Sequence, residues 1–124
     1  MEILLKTDGA SDMKAKASSH SWGIYQEGAL TTSGSGYSVG EEFNTSNQEE
    51  YLGILDGLRQ IRVEFSNSLT KKDSIYIETD SELVARQLKG TYKVRNKGLK
   101  LLHKEVKSVI KSLPSIVYLR HIPR

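Results

Sequence analysis

Two aspartates each close a short apolar run, and two adjacent glutamates open a long amphipathic segment; these are the residues whose types could do chemistry together. Ile3-Leu4-Leu5-Lys6-Thr7-Asp8 ends in Asp8-Gly9, and Ser74-Ile75-Tyr76-Ile77-Glu78-Thr79-Asp80 ends in Asp80-Ser81. An apolar run that stops at such a polar turn reads as a strand, so both aspartates belong at strand ends. Glu49 and Glu50 follow the capping-type stretch Asn44-Thr45-Ser46-Asn47, which puts them in a first helical turn. Carboxylates gathered from separate elements suit a hard divalent cation, because Mg²⁺ and Mn²⁺ take oxygen ligands. The chain has no cysteine, which excludes disulfides, zinc-thiolate sites, iron-sulfur clusters and thiol nucleophiles. On residue type alone, either glutamate could join the two aspartates.

Periodicity predicts the elements that must position these acids. Ile3 to Asp8 is a first strand, Ser11 to Ser19 is small and polar and reads as a loop, and Ser21 to Gln26 is a second strand. Glu27-Gly28 turns the chain into an antiparallel third strand from Ala29 to Val39. Tyr51, Ile54, Leu55, Leu58, Ile61 and Phe65 then recur at helical spacing. Asn67 to Asp73 is a polar loop before the strand that ends on Asp80; Ser81 caps a short helix to Leu88, which Gly90 ends. A second long helix is predicted from Lys97 to Leu113, with Leu99, Leu102, Val106, Val109 and Leu113 on one face. Lys97, Lys100, Lys104, Lys107 and Lys111 make a stripe facing away from that core side. Pro114 stops this helix, and Ser115 to Ile122 is the last strand. The order β-β-β-α-β-α-α-β implies an α/β fold, a mixed five-stranded sheet flanked by helices in which the later strands run parallel to the first. Ligands collect at the C-terminal ends of such strands, where Asp8 and Asp80 lie side by side if their strands are neighbours.

Composition bounds the function classes. The 124 residues fit one domain spanning 1–124, and 37% hydrophobic with 27% charged residues is ordinary for a globular chain. No apolar run approaches the ~20 residues that cross a bilayer. Met1-Glu2-Ile3-Leu4-Leu5 also lacks a basic stretch ahead of a long apolar one, so no membrane span and a cytoplasmic, intracellular location are expected. The net charge of +3 hides an asymmetry: residues 1–80 hold 7 Lys+Arg against 13 Asp+Glu, residues 81–124 hold 11 against 2. An acidic part that attracts cations beside a basic part that attracts anions fits a metal-dependent enzyme acting on phosphodiesters.

Thr7-Asp8-Gly9-Ala10-Ser11, Asn47-Gln48-Glu49-Glu50-Tyr51 and Thr79-Asp80-Ser81, in this order and spacing, resemble the motifs of the ribonuclease H family, type 1, in its compact archaeal, bacterial and mobile-element branch. The similarity extends to Leu83-Val84-Ala85-Arg86-Gln87-Leu88-Lys89-Gly90-Thr91-Tyr92 and to the closing His121-Ile122-Pro123-Arg124. It implies cleavage of the RNA strand of an RNA/DNA hybrid with Mg²⁺, or Mn²⁺ in its place. Two such ions about 4 Å apart at a scissile phosphate repel strongly and need several anionic oxygens to hold them. By the same resemblance Asp8, Glu50 and Asp80 are the catalytic metal ligands. Glu50 is chosen over Glu49 because it directly precedes Tyr51 and lies three residues after Asn47, which leaves Glu49 to the helix dipole. Asn47 matches the asparagine that meets the hybrid's minor groove, where 2′-hydroxyls distinguish RNA. Gly9, Ala10, Ser11 and Ser81 flank the acids as further substrate-binding candidates, and Lys93, Arg95 and Lys97 join them from the loop before the second long helix.

Several residues depart from the family pattern. Asp12-Met13-Lys14-Ala15-Lys16-Ala17-Ser18-Ser19 stands where the family is rich in glycine and proline, and Ser46 replaces the first asparagine of a usual pair. The family also continues past His-Ile-Pro-Arg into a terminal helix with a fourth acid, whereas this sequence ends at Arg124. The expectation is therefore a domain C-terminally truncated relative to that pattern, without the terminal helix and with apolar side chains of the last strand exposed. Two functions follow: a two-metal endonuclease, or a catalytically impaired ribonuclease H-like module that binds nucleic acid or is completed by a partner. Among the remaining residues, His20 and His103 read as surface side chains, His121 as structural and Trp22 as core.

Overall fold

The computed structural model describes residues 1–123. Strands β1 (Glu2–Asp12), β2 (Ala17–Gln26) and β3 (Ala29–Val39) form an antiparallel meander. The Glu27-Gly28 turn is as the sequence predicts, with φ of 52° and 81° at the two turn residues between the paired Gln26 and Ala29; two-residue hairpins need that left-handed backbone. The predicted loop over Ser11 to Ser19 is not a loop. The β1–β2 ladder continues through Ser11–Ser18 and Asp12–Ala17, and the turn is confined to residues 13–16. Asp12 sets it, its carboxylate accepting the Lys14 and Ala15 amides. Small polar side chains hid the strand, because its pairing comes from the partner and not from local propensity.

A 3-10 turn (Gly40–Glu42) leads to α1 (Ser46–Glu64), whose N-cap Thr45 and Gln48 make reciprocal capping bonds. β4 (Ser74–Thr79), α2 (Glu82–Lys89), α3 (Lys97–Ser112) and β5 (Ile116–His121) complete the order read from sequence. Ser81 caps α2 by accepting the Val84 amide, and Gly90 closes it in the left-handed conformation at φ 86°. The sheet order is β3-β2-β1-β4-β5, with β1, β4 and β5 mutually parallel.

Strand alternation divides the sheet into two faces. Ile3, Leu5, Ile75 and Ile77 are fully buried with Ile54, Leu58 and Ile61 of α1 and Val106 of α3. On the other parity lie Leu4, Tyr76 and Tyr118, in lateral register, with the tyrosine rings stacked at 5.1 Å. The Arg120 guanidinium stands 4.3 Å from the Tyr76 ring. Ile116, Tyr118 and Ile122 are exposed, which agrees with the reading of the last strand. Trp22 is partly buried and packs against the core. Among the described residues no helix is long and apolar enough to cross a membrane. Of the closing His-Ile-Pro-Arg segment, Arg124 lies outside the described residues.

Candidate metal centre

The paired stretch of β1 and β4 ends at Lys6–Glu78; Asp80 follows directly after β4, as expected, whereas Asp8 is not at a strand end but inside β1, which stays paired with β2 as far as Asp12. α1 brings its first turn to the same end. Gly9 is what lets it come close: a Cβ there would stand 2.5 Å from the Glu50 amide nitrogen and 2.8 Å from the Glu49 carbonyl carbon. The outcome is that Asp8, Glu50 and Asp80 each offer a carboxylate oxygen within 4.8 Å of one another.

Their surroundings differ. Asp8 is exposed and accepts the Gly9 amide at 3.0 Å. Glu50 is buried, and its Oε1 accepts hydroxyls from Thr7 at 2.7 Å and Thr79 at 2.6 Å. Burial pushes the Glu50 carboxyl above its ordinary range; the two threonine bonds oppose this, and the charges of Asp80 and Asp8 add to it. Three carboxylates at this range, one of them desolvated, are a donor set for a hard oxygen-loving cation, which would relieve their mutual repulsion.

The structure brings some of the other sequence candidates to this end and not others. Asn47 accepts the Ser81 hydroxyl at 3.4 Å, joining the starts of α1 and α2 beside Asp80. Ser11 uses its hydroxyl on the Asn44 carbonyl at 2.7 Å, so it holds the linker before α1. Ala10 lines a shallow groove with Asp8, Ser19, Ser21 and Tyr37. Lys93 lies with Lys100, His103 and Lys107 around a depression between α2 and α3, whereas Arg95 and Lys97 are simply exposed.

Three single-residue readings need correction. His20 is not a surface residue: it lies on β2, 9% exposed, with Nδ1 2.6 Å from Glu49 and Nε2 2.8 Å from Asp56. Glu49 does not merely face the helix dipole; it is fully buried and accepts from Ser18 and Asn44 as well. His103 is half-buried, packed edge-on against Tyr51 and 3.2 Å from the Gln87 carbonyl. Thr7 and Thr79 open two of the sequence motifs but have no role assigned there; their shared place directly before each aspartate is the signal for the one they have, holding Glu50.

A protein-family model described as reverse transcriptase-like matches residues 6–124. Among solved structures, LC11-RNase H1, isolated from compost by a metagenomic approach, is 27% identical with a TM-score of 0.85, covering 99% of this chain and 85% of its own. The same protein in complex with an RNA/DNA hybrid gives 24% identity and a TM-score of 0.84 over 98% and 86% of the two chains. RNase H1 from the halophilic archaeon Halobacterium salinarum is 21% identical, with a TM-score of 0.83 over 100% and 87%. A search of curated protein sequences gives no significant match.

Proposed function

The chain belongs to the reverse transcriptase-like family and has the ribonuclease H-like fold, and from that premise we propose that it is a metal-dependent endonuclease that hydrolyses the RNA strand of RNA/DNA hybrids. The observation that carries the reading is the meeting of Asp8, Glu50 and Asp80, from β1, α1 and the end of β4, within 4.8 Å. An all-oxygen donor set fits Mg²⁺, with Mn²⁺ as substitute, and those three residues would hold it. When bound, such ions polarise a phosphoryl oxygen and lower the pKa of an attacking water. Thr7 and Thr79 fix the Glu50 carboxylate from two strands, so that a ligand on a helix is held to the sheet that carries the other two.

The substrate contacts are assigned by proximity and chemistry. Asn47 and Ser81, hydrogen-bonded to each other at the mouth of the cluster, present polar groups suited to a 2′-hydroxyl. Gly9 and Ala10 border the exposed side of Asp8. Lys93, with Lys100 and Lys107, offers positive charge to phosphates farther along the duplex, and Arg95 and Lys97 extend it.

The test is to incubate the protein with labelled RNA/DNA hybrid, double-stranded RNA and DNA duplex, in Mg²⁺ and in Mn²⁺, beside Asp8→Asn. Cleavage confined to the RNA of the hybrid, and lost in Asp8→Asn, is expected. Hybrid binding without cleavage in either metal would make the protein a binding module instead.

A further inference from the structure

Behind the carboxylate cluster lies a second buried polar system that the proposed chemistry does not use. Glu49, 0% exposed, meets His20 Nδ1 at 2.6 Å through Oε1, while its Oε2 accepts from the Ser18 hydroxyl and from the Asn44 side-chain amide at 3.2 Å. Ser18 in turn accepts the Asn44 backbone amide at 2.8 Å. The far side of the His20 ring contacts Asp56 at 2.8 Å. Both ring nitrogens of His20 are therefore engaged by carboxylates, one on each side of the ring. Burying such groups costs free energy that apolar side chains would not. Their value must lie in what they hold in place.

What they hold is the first turn of α1. Glu49 is tied to β2 by Ser18 and His20, and the next residue, Glu50, is tied to β1 and β4 by Thr7 and Thr79. Two consecutive side chains therefore anchor one helical turn across three strands. Space has been cleared for both anchors: a Cβ on Gly36 would stand 2.6 Å from the His20 ring, and one on Gly9 would strike the Glu50 amide. We propose that the His20–Glu49 pair is a positioning device, which sets the first turn of α1 so that Glu50 reaches Asp8 and Asp80. The pair acts through the placement of Glu50, and it rests on the metal-site reading given above.

The experiment compares the full chain with Glu49→Ala, His20→Ala, Glu49→Gln and Asp8→Asn by Mn²⁺ titration with electron paramagnetic resonance. Amide exchange at residues 47–50 and melting temperature are followed alongside. Glu49→Ala and His20→Ala are expected to weaken Mn²⁺ binding about tenfold or more, the range seen when partners of metal ligands are removed, and to speed exchange in that turn. Glu49→Gln keeps an acceptor oxygen for His20 but turns an amide NH2 toward the Asn44 donor, so its affinity should fall between those of Glu49→Ala and the unaltered chain. Ser18→Ala, which leaves no buried charge unpaired, should move affinity in the same direction by a smaller factor, and it carries the test where Glu49→Ala does not fold. Variants that melt lower yet bind Mn²⁺ as the unaltered chain does would overturn the proposal and leave the metal reading standing. If the unaltered chain binds Mn²⁺ no better than Asp8→Asn, the metal reading fails first and this inference falls with it.

Discussion

Substituting Gly9 by alanine tests how the acid cluster is assembled. The added Cβ would lie 2.5 Å from the Glu50 nitrogen, 2.8 Å from the Glu49 carbonyl carbon and 3.0 Å from the Glu50 Cα. All three are backbone atoms of the first helical turn, so no side chain can rotate away. Comfortable carbon contacts lie near 3.5 Å, so the turn must retreat from β1 by roughly 1 Å. Inserting one methylene-sized group into a packed interior costs about 1–3 kcal/mol, and Thr7 and Thr79 would lose their grip on Glu50 as it moves. A 1 Å displacement in a preorganised site costs up to roughly 100-fold in rate. Gly57→Ala is the control. Its Cβ would crowd the Leu5 side chain, about two helical turns along α1, or roughly 10 Å, from Glu50. Urea melts and Mn²⁺ titrations on both variants separate the effects: both should lose stability, and Gly9→Ala alone should lose metal affinity and hybrid cleavage. A Gly9→Ala protein with stability and Mn²⁺ affinity unchanged would refute the claim that close approach of β1 to α1 places Glu50.

Glu50→Gln should raise the melting temperature of the metal-free protein at neutral pH, because it removes a desolvated carboxylate whose folded pKa lies above the unfolded value. A raised carboxyl pKa means stability falls as pH rises through that window, so the two proteins should converge below the unfolded value of about 4.5; a gap that persists there in acid melts would contradict this. Asp73 has the opposite sign. The Met1 ammonium, then the Thr70 amide, hold its carboxyl below the usual carboxylate range. The stability it adds is complete above the unfolded value of 3.8 and is lost as pH falls through the folded one. Asp73→Asn should therefore flatten the acid limb of stability against pH, and an unaltered limb would speak against this ion pair. Charge reversal at Lys100 and Lys107 should weaken hybrid binding and reduce the slope of log affinity against log salt by about one for each phosphate no longer neutralised. An unchanged slope would take the α2–α3 depression out of the nucleic-acid path.

Much of the fold was legible because its signals were local. Tyr51 to Phe65 kept helical spacing, Thr45 and Ser81 were cap residues, and Gly90 was the left-handed stop. Asp8 and Asp80 were legible for the same reason, each ending an apolar run. What failed was non-local. The end of β1 and the start of β2 are small polar residues whose strand character exists only through their pairing. His20 and Glu49 are 29 residues apart, and each alone looked like a residue for solvent. Consecutive helical positions point about 100° apart, so choosing Glu50 for the metal site left Glu49 to the helix dipole. The structure buries both because the first turn of α1 sits between β2 on one side and β1 with β4 on the other.

That wedge explains why two acids in a row can be tolerated with opposite consequences. Glu49 is met by a hydroxyl, an imidazole and an amide, and the protein itself supplies every donor. Among the described residues Glu50 is met by two neutral hydroxyls, on a single oxygen, and faces two further carboxylates. Among the described residues neither Glu50 nor Asp8 has a Lys, Arg or His partner within ion-pair distance. Without a cation, the folded state keeps repulsion among these acids that the unfolded chain avoids. A divalent ion that bound there would therefore stabilise folding by its affinity for the native site. Mg²⁺ should accordingly raise the melting temperature of the unaltered chain and leave Glu50→Gln nearly unmoved; equal shifts in the two proteins would mean that the ion acts elsewhere.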